Sequence, residues 1–130
     1  MADHTEAEAA NLKAALEFYD LALNKRDFAA ARHYVGPHYI QHNPAVFDGY
    51  EAFAAFINLM TAEHPRFRID TVRSFVDGDF VILHGRSYNG PTLNGEALVD
   101  IFRFENGKIV EHWDVIQPLP DTSENDNGVV

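Results

Sequence analysis

A chain of 130 residues has room for one domain, and its 46% hydrophobic residues, with ten Phe and five Tyr, suffice for an aromatic core. The absence of cysteine excludes both disulfides and thiolate metal sites. A net charge of −10 argues against phosphate backbones and anionic membranes as partners, so neither nucleic acid nor membrane is expected. The apolar runs are far shorter than a membrane span, and residues 1–10 carry acid where a secretory leader carries base. The expectation is a soluble, cytoplasmic protein.

Thr5-Glu-Ala-Glu8 has the spacing of a capping box. Leu12, Leu16, Tyr19 and Leu23 follow at helical intervals, predicting one amphipathic helix to about Lys25. Asp27 suits the cap of a short second helix with Phe28, Ala31 and Val35 on one side, stopped by Gly36-Pro37. A brief extended segment, His38 to His42, leads into Asn43-Pro44, where proline pushes the asparagine away from helical angles. Phe53, Phe56, Ile57 and Met60 then mark a third helix from Gly49 to His64, ended by Pro65.

Beyond that proline the period changes to that of strands. Arg66–Val76 and Asp79–Tyr88 flank Asp77-Gly78, a favoured hairpin dipeptide. After a loop at Asn89–Gly95, Glu96–Phe104 and Lys108–Gln117 flank Glu105-Asn106-Gly107. Residues 119–130 have the composition of a polar tail, leaving 1–118 as the domain. Helices first and long antiparallel strands after predict a segregated α+β fold.

The last hairpin decides which side chains share a face. A two-residue Asn106-Gly107 turn pairs Glu105 with Lys108 and sets Asp100 opposite Trp113. A three-residue loop with Gly107 as a left-handed bulge pairs Phe104 with Lys108, and therefore Asp100 with His112. The second reading is preferred because glycine suits the bulge position. Alternation keeps His112 and Asp114 on one face in either case, and the three-residue loop adds Asp100 to them. Two carboxylates and an imidazole among apolar neighbours would push at least one acid towards its neutral form, which suits proton transfer. The competing explanation is a structural hydrogen-bonded group.

The stretch from Val99 to Gln117, with its Glu111-His-Trp-Asp114, resembles the closing hairpin of SnoaL-like polyketide cyclases in the nuclear transport factor 2-like superfamily. Tyr39-Ile-Gln-His-Asn-Pro44, the helix after Gly49 and Asp77-Gly-Asp79 extend the resemblance over residues 8–118. It implies a cone, a strongly curved mixed or antiparallel sheet of cystatin-like type wrapped on three helices. It also implies an internal cavity and a homodimer formed across the outer sheet face. By that resemblance Asp114 is the acid–base of an aldol-type ring closure. Tyr19 and a protonated Asp100 match the oxyanion pair of ketosteroid isomerases. Asn43 stands where those isomerases carry their aspartate base, and an amide cannot abstract a proton.

Further substrate-binding candidates are His42 and Gln41 near the cone mouth, His84 if it points inward, and Trp113 as core residue or ligand platform. His42, His84 and His112 lie on separate segments without metal-ligand spacing, and neither a phosphate loop nor a nucleophile elbow is present. No metal and no cofactor are expected. The expected activity is acid–base chemistry on a small apolar carbonyl compound, whether aldol-type cyclisation, isomerisation or dehydration. A non-catalytic binding or assembly domain and, behind it, a metal-dependent hydrolase or oxygenase remain as alternatives.

Overall fold

A computed structural model describes residues 3–130. The capping box forms as predicted, with the Thr5 hydroxyl accepting from the Glu8 amide and the Glu8 carboxylate accepting from the Thr5 amide. It opens α1, Glu6–Tyr19. The helix does not run unchanged to Lys25. Asp20–Asn24 is a wider π-type turn, closed by the Lys25 amide donating to the Asp20 carbonyl. The Asn24 carboxamide then bonds both the amide and the carbonyl of Ile69, fixing the helix end to the sheet.

Helix α2, Phe28–Arg32, begins at Asp27, whose carboxylate caps the Ala30 amide. Val35, Gly36 and Pro37 belong to strand β1, Val35–Gln41, and not to a helix and its stop. Proline is tolerated there because β1 is an edge strand, and the ladder is irregular between Val35 and Ile40. Helix α3, Tyr50–Glu63, follows a glycine at φ 97°. Strands β2, Arg68–Asp77, β3, Phe80–Tyr88, β4, Glu96–Glu105, and β5, Lys108–Pro118, complete the chain.

The sheet order is β1-β5-β4-β3-β2, antiparallel except for the parallel β1–β5 pair. It is an open five-stranded mixed sheet and not a closed one. The helices complete the enclosure. The β2–β3 ladder is irregular between Thr71 and Arg73, and beside it, at Gly85, a Cβ would stand 2.0 Å from the Asp70 carbonyl oxygen, so β2 can cross closely there only over glycine. Phe18, Phe102 and Phe104 are fully buried, and Phe18 stacks on Phe53 and meets Phe102 edge-on. This aromatic seam ties α1 and α3 to the concave face.

The β4–β5 turn corrects the preferred sequence reading. It is the two-residue turn, with Glu105 paired to Lys108 and both Asn106 (φ 51°) and Gly107 (φ 76°) left-handed. By itself this would turn Asp100 away from His112. The ladder then slips by one: Phe104 pairs with Ile109 but Arg103 with Glu111, so Val110 is an extra residue in β5. The bulge restores the parity. Asp100 lies opposite Asp114 and two pairs along from the Phe102–His112 pair, all on the concave face. Residues 119–130 form neither helix nor strand, and the Leu119 amide donates to the Gly95 carbonyl.

Candidate active site

Between the concave face and the helices lies a cavity of about 290 Å³. Its wall is mainly apolar, with Phe18, Phe53, Ile57, Phe67, Leu98 and Phe102 among its residues. Tyr19, Tyr39, Gln41, Asp100, His112 and Asp114 bring their polar groups together from α1, β1, β4 and β5, while Ser87 and Glu96 line the cavity elsewhere.

Asp100 is the hub. Its Oδ2 accepts from the Tyr19 hydroxyl at 2.5 Å, and its Oδ1 lies 2.7 Å from His112 Nε2, with both His112 and Asp100 buried. The orientation of His112 follows from Gln41. The Asn43 backbone N–H can only donate, and it meets Gln41 Oε1 at 3.0 Å, so the carboxamide oxygen is correctly placed. That same oxygen, 2.8 Å from His112 Nδ1, therefore accepts a proton from it. One proton remains between Nε2 and Oδ1. Whether it sits on the imidazole or on the acid, the pair carries no net charge.

Asp114 is held differently. Asn43 Oδ1 accepts from the Ala45 amide, which turns Asn43 Nδ2 towards Asp114 at 3.1 and 2.9 Å from its two oxygens. His112 Nε2 is 4.0 Å away, beyond a hydrogen bond. Burial raises the Asp114 carboxyl above the ordinary aspartate value; the Asn43 bond and His112 oppose the rise, and Asp100 adds to it. Asp114 thus faces the cavity as a partly desolvated carboxylate with a single protein donor. The Tyr19 hydroxyl is pushed up by its burial, and further by the Asp100 charge and its hydrogen bond to Asp100.

Asp100, His112 and Asp114 each offer a ligand atom within 4.8 Å of the others, a spacing that a cation could bridge. Such an ion would have to take Nε2 from its bond to Asp100. The set is then one imidazole and two carboxylates.

Of the residues expected from sequence, Asp114, His112, Asp100, Tyr19 and Gln41 line the cavity. His42, His84 and Trp113 do not. Residues alternate along an extended chain, so with Gln41 inward His42 turns outward. His42 is exposed, bonded to Glu111 at 2.7 Å and stacked on Trp113 at 4.7 Å. Trp113 pairs with Ile101 on the convex face and also meets Phe80 there. His84 pairs with Val99 and Arg73, and its Nδ1 contacts the Arg73 guanidinium. At the polar end Tyr39 was missed, and Asn43, placed at the base position by the resemblance, was not expected as a partner of Asp114. The signal was available, since Tyr39, Gln41 and Asn43 alternate with Ile40 and His42.

The profile of the SnoaL-like domain matches residues 15–112. The chain belongs to the SnoaL-like family. Among solved structures, a Jannaschia sp. protein that carries the name SnoaL-like polyketide cyclase aligns with a TM-score of 0.75 at 20% identity, over 89% of this chain and 91% of that one. TsrD from Streptomyces laurentii aligns at 0.69 and 26% identity, over 88% and 91%. A Kribbella flavida protein named for ketosteroid isomerase aligns at 0.70 and 16%, over 93% and 85%. No curated protein matches the chain. The SnoaL-like fold is thereby shared across proteins named for different chemistries, and the residues of the site must carry the functional argument.

Among the described residues no helix is long and apolar enough to cross a membrane.

Proposed function

We propose that this SnoaL-like protein is a cofactor-independent enzyme that moves a proton next to the carbonyl group of a small, largely apolar compound. Asp114 takes a proton from the carbon beside the carbonyl and returns it to the product carbon or to a departing hydroxyl. The outcome is an aldol-type ring closure, an isomerisation or a dehydration, each passing through an enolate. The observation that carries the reading is the state of Asp114: largely buried at the polar end of an apolar cavity, raised in pKa, and bonded only by Asn43. A carboxylate stripped of water is a stronger base than one in solution.

The Tyr19–Asp100–His112–Gln41 chain supports Asp114 and does not itself bind the enolate oxygen. Both Asp100 oxygens are engaged and the Tyr19 hydroxyl is spent on one of them, so the oxyanion role expected for that pair has no free donor. The chain instead sets an uncharged wall beside Asp114 and fixes the imidazole 4.0 Å from it. The partner expected for the convex face is a second copy of the chain. Val72, Phe75, Phe80 and Val115 are exposed there, between 42% and 65%, and light scattering that finds a monomer would end that part of the reading.

2-Tetralone is a suitable probe, an apolar ketone with acidic hydrogens beside its carbonyl. The protein should accelerate deuterium uptake at that carbon in D₂O, followed by proton NMR. Asp114→Asn should lower the enzymatic rate by about 10³-fold or more while the protein stays folded. Undiminished exchange in Asp114→Asn would remove the base. A bound metal in the purified protein, with exchange lost on chelation, would replace the reading by a metal-dependent one.

A further inference from the structure

The cavity contains one hydroxyl that the fold leaves without a partner. Tyr39 is 3% exposed, and its oxygen is the one tyrosine hydroxyl among the described residues that is buried and makes no hydrogen bond. Buried polar atoms are almost always paired, so a vacant donor on a residue of the cavity wall points to a ligand atom. The ring has aromatic neighbours on two sides. It lies parallel to the His112 imidazole at 6.3 Å and packs against Phe53 at 6.0 Å. Burial keeps the phenol protonated, and the charges of Asp100 and Asp114 reinforce this. Gln41 lies near enough to oppose the effect but makes no hydrogen bond to the Tyr39 oxygen.

Gln41 adds a second donor. Its carboxamide oxygen is used by His112 and by the Asn43 amide, and this fixes its nitrogen on the other side of the group. Tyr19, the other tyrosine of the polar end, has its hydroxyl committed to Asp100.

We propose that the Tyr39 hydroxyl, assisted by the Gln41 amide nitrogen, anchors the acceptor oxygen of the ligand. The ligand oxygen receives the Tyr39 hydrogen bond, and the adjoining carbon faces Asp114. The Asp114 carboxylate at this end repels an anionic headgroup, so the class selected is a neutral ketone or aldehyde on an apolar body, not a carboxylic acid. The enolate formed from it keeps the same bond, which strengthens as charge reaches the oxygen. The catalytic part of this inference rests on the acid–base reading above; the binding part does not.

2-Naphthol, a stable planar analogue of the enol of 2-tetralone, separates the two by its own fluorescence on titration. Tyr39→Phe keeps the ring and its stacking and removes a hydroxyl that bonds nothing in the protein. It should bind 2-naphthol at least ten-fold more weakly than the wild type, with an unchanged or higher Tm, and slow the exchange of 2-tetralone to match. Equal affinity in Tyr39→Phe overturns the anchor, as does a wild type that does not bind 2-naphthol. A fall in Tm with affinity retained also overturns it, since the hydroxyl would then be structural. Binding through Tyr39 without catalysed exchange would sink the acid–base reading alone. Exchange sensitive to Asp114→Asn but indifferent to Tyr39→Phe would sink the anchor alone.

Discussion

Two histidine–carboxylate pairs stand on opposite faces of the sheet with the same 2.7 Å separation. His112–Asp100 is on the concave face, its side chains 7% and 6% exposed; His42–Glu111 is on the convex face, at 42% and 15%. Distance does not distinguish a candidate site from a surface pair. Solvent does. On the convex face water and the Arg103 guanidinium share Glu111, and His42 rests on Trp113. On the concave face every polar atom of Asp100 and His112 is matched to a protein partner, and the unmatched capacity belongs to Asp114 and Tyr39.

The comparison breaks most visibly on the buried side. Asp100→Ala would leave the Tyr19 hydroxyl and His112 Nε2 without partners in an apolar wall. The expected cost is about 3–5 kcal/mol in urea unfolding. A loss below ~1 kcal/mol would mean that the wall is wet and the two faces are alike.

Asp114→Asn should have the opposite sign on stability. The folded protein holds the Asp114 pKa above its unfolded value, so ionising it costs stability as pH rises from the unfolded value through the folded one. Above that window the neutral variant should be the more stable. Below it the two proteins should coincide. A wild type more stable than Asp114→Asn at neutral pH would make the carboxylate a structural charge.

The convex pair should respond least. Glu111 is held below the ordinary glutamate range, first by the His42 hydrogen bond and then by Arg103. Its contribution is present above the unfolded glutamate pKa and is lost as pH falls through the folded one. Glu111→Gln should change unfolding free energy by less than ~1 kcal/mol, with a difference that shrinks in salt. Its exchange rate towards 2-tetralone should match the wild type.

Much of this contrast was legible in the residues. The capping box at Thr5 and the helical spacing from Phe53 to Met60 predicted their elements because each rests on local chemistry, whereas the β2–β3 hairpin turns one residue later than expected, at Gly78-Asp79 between the paired Asp77 and Phe80. The β4–β5 turn was misread although its faces came out as expected. Asn106-Gly107 is a good two-residue turn, and the break in alternation sits later, at Ile109-Val110, where two consecutive apolar residues are both buried. The same alternation along β1 separates Gln41 from His42, and would have added Tyr39 and Asn43 to the cavity. The rest is tertiary. That Asn43 turns its nitrogen to Asp114 depends on the Ala45 amide, and that the Tyr39 hydroxyl lacks a partner depends on the packing of α3 and β5.

The most direct measurement is a carbon-13 NMR titration of the Asp114 side-chain carboxyl in the folded protein, assigned by its absence in Asp114→Asn. The expected midpoint lies above the ordinary aspartate value of about 3.9, and the acid limb of 2-tetralone exchange should follow the same midpoint. A carboxyl titrating at or below that value would be a well-solvated or strongly paired group, and Asp114 would not be the base.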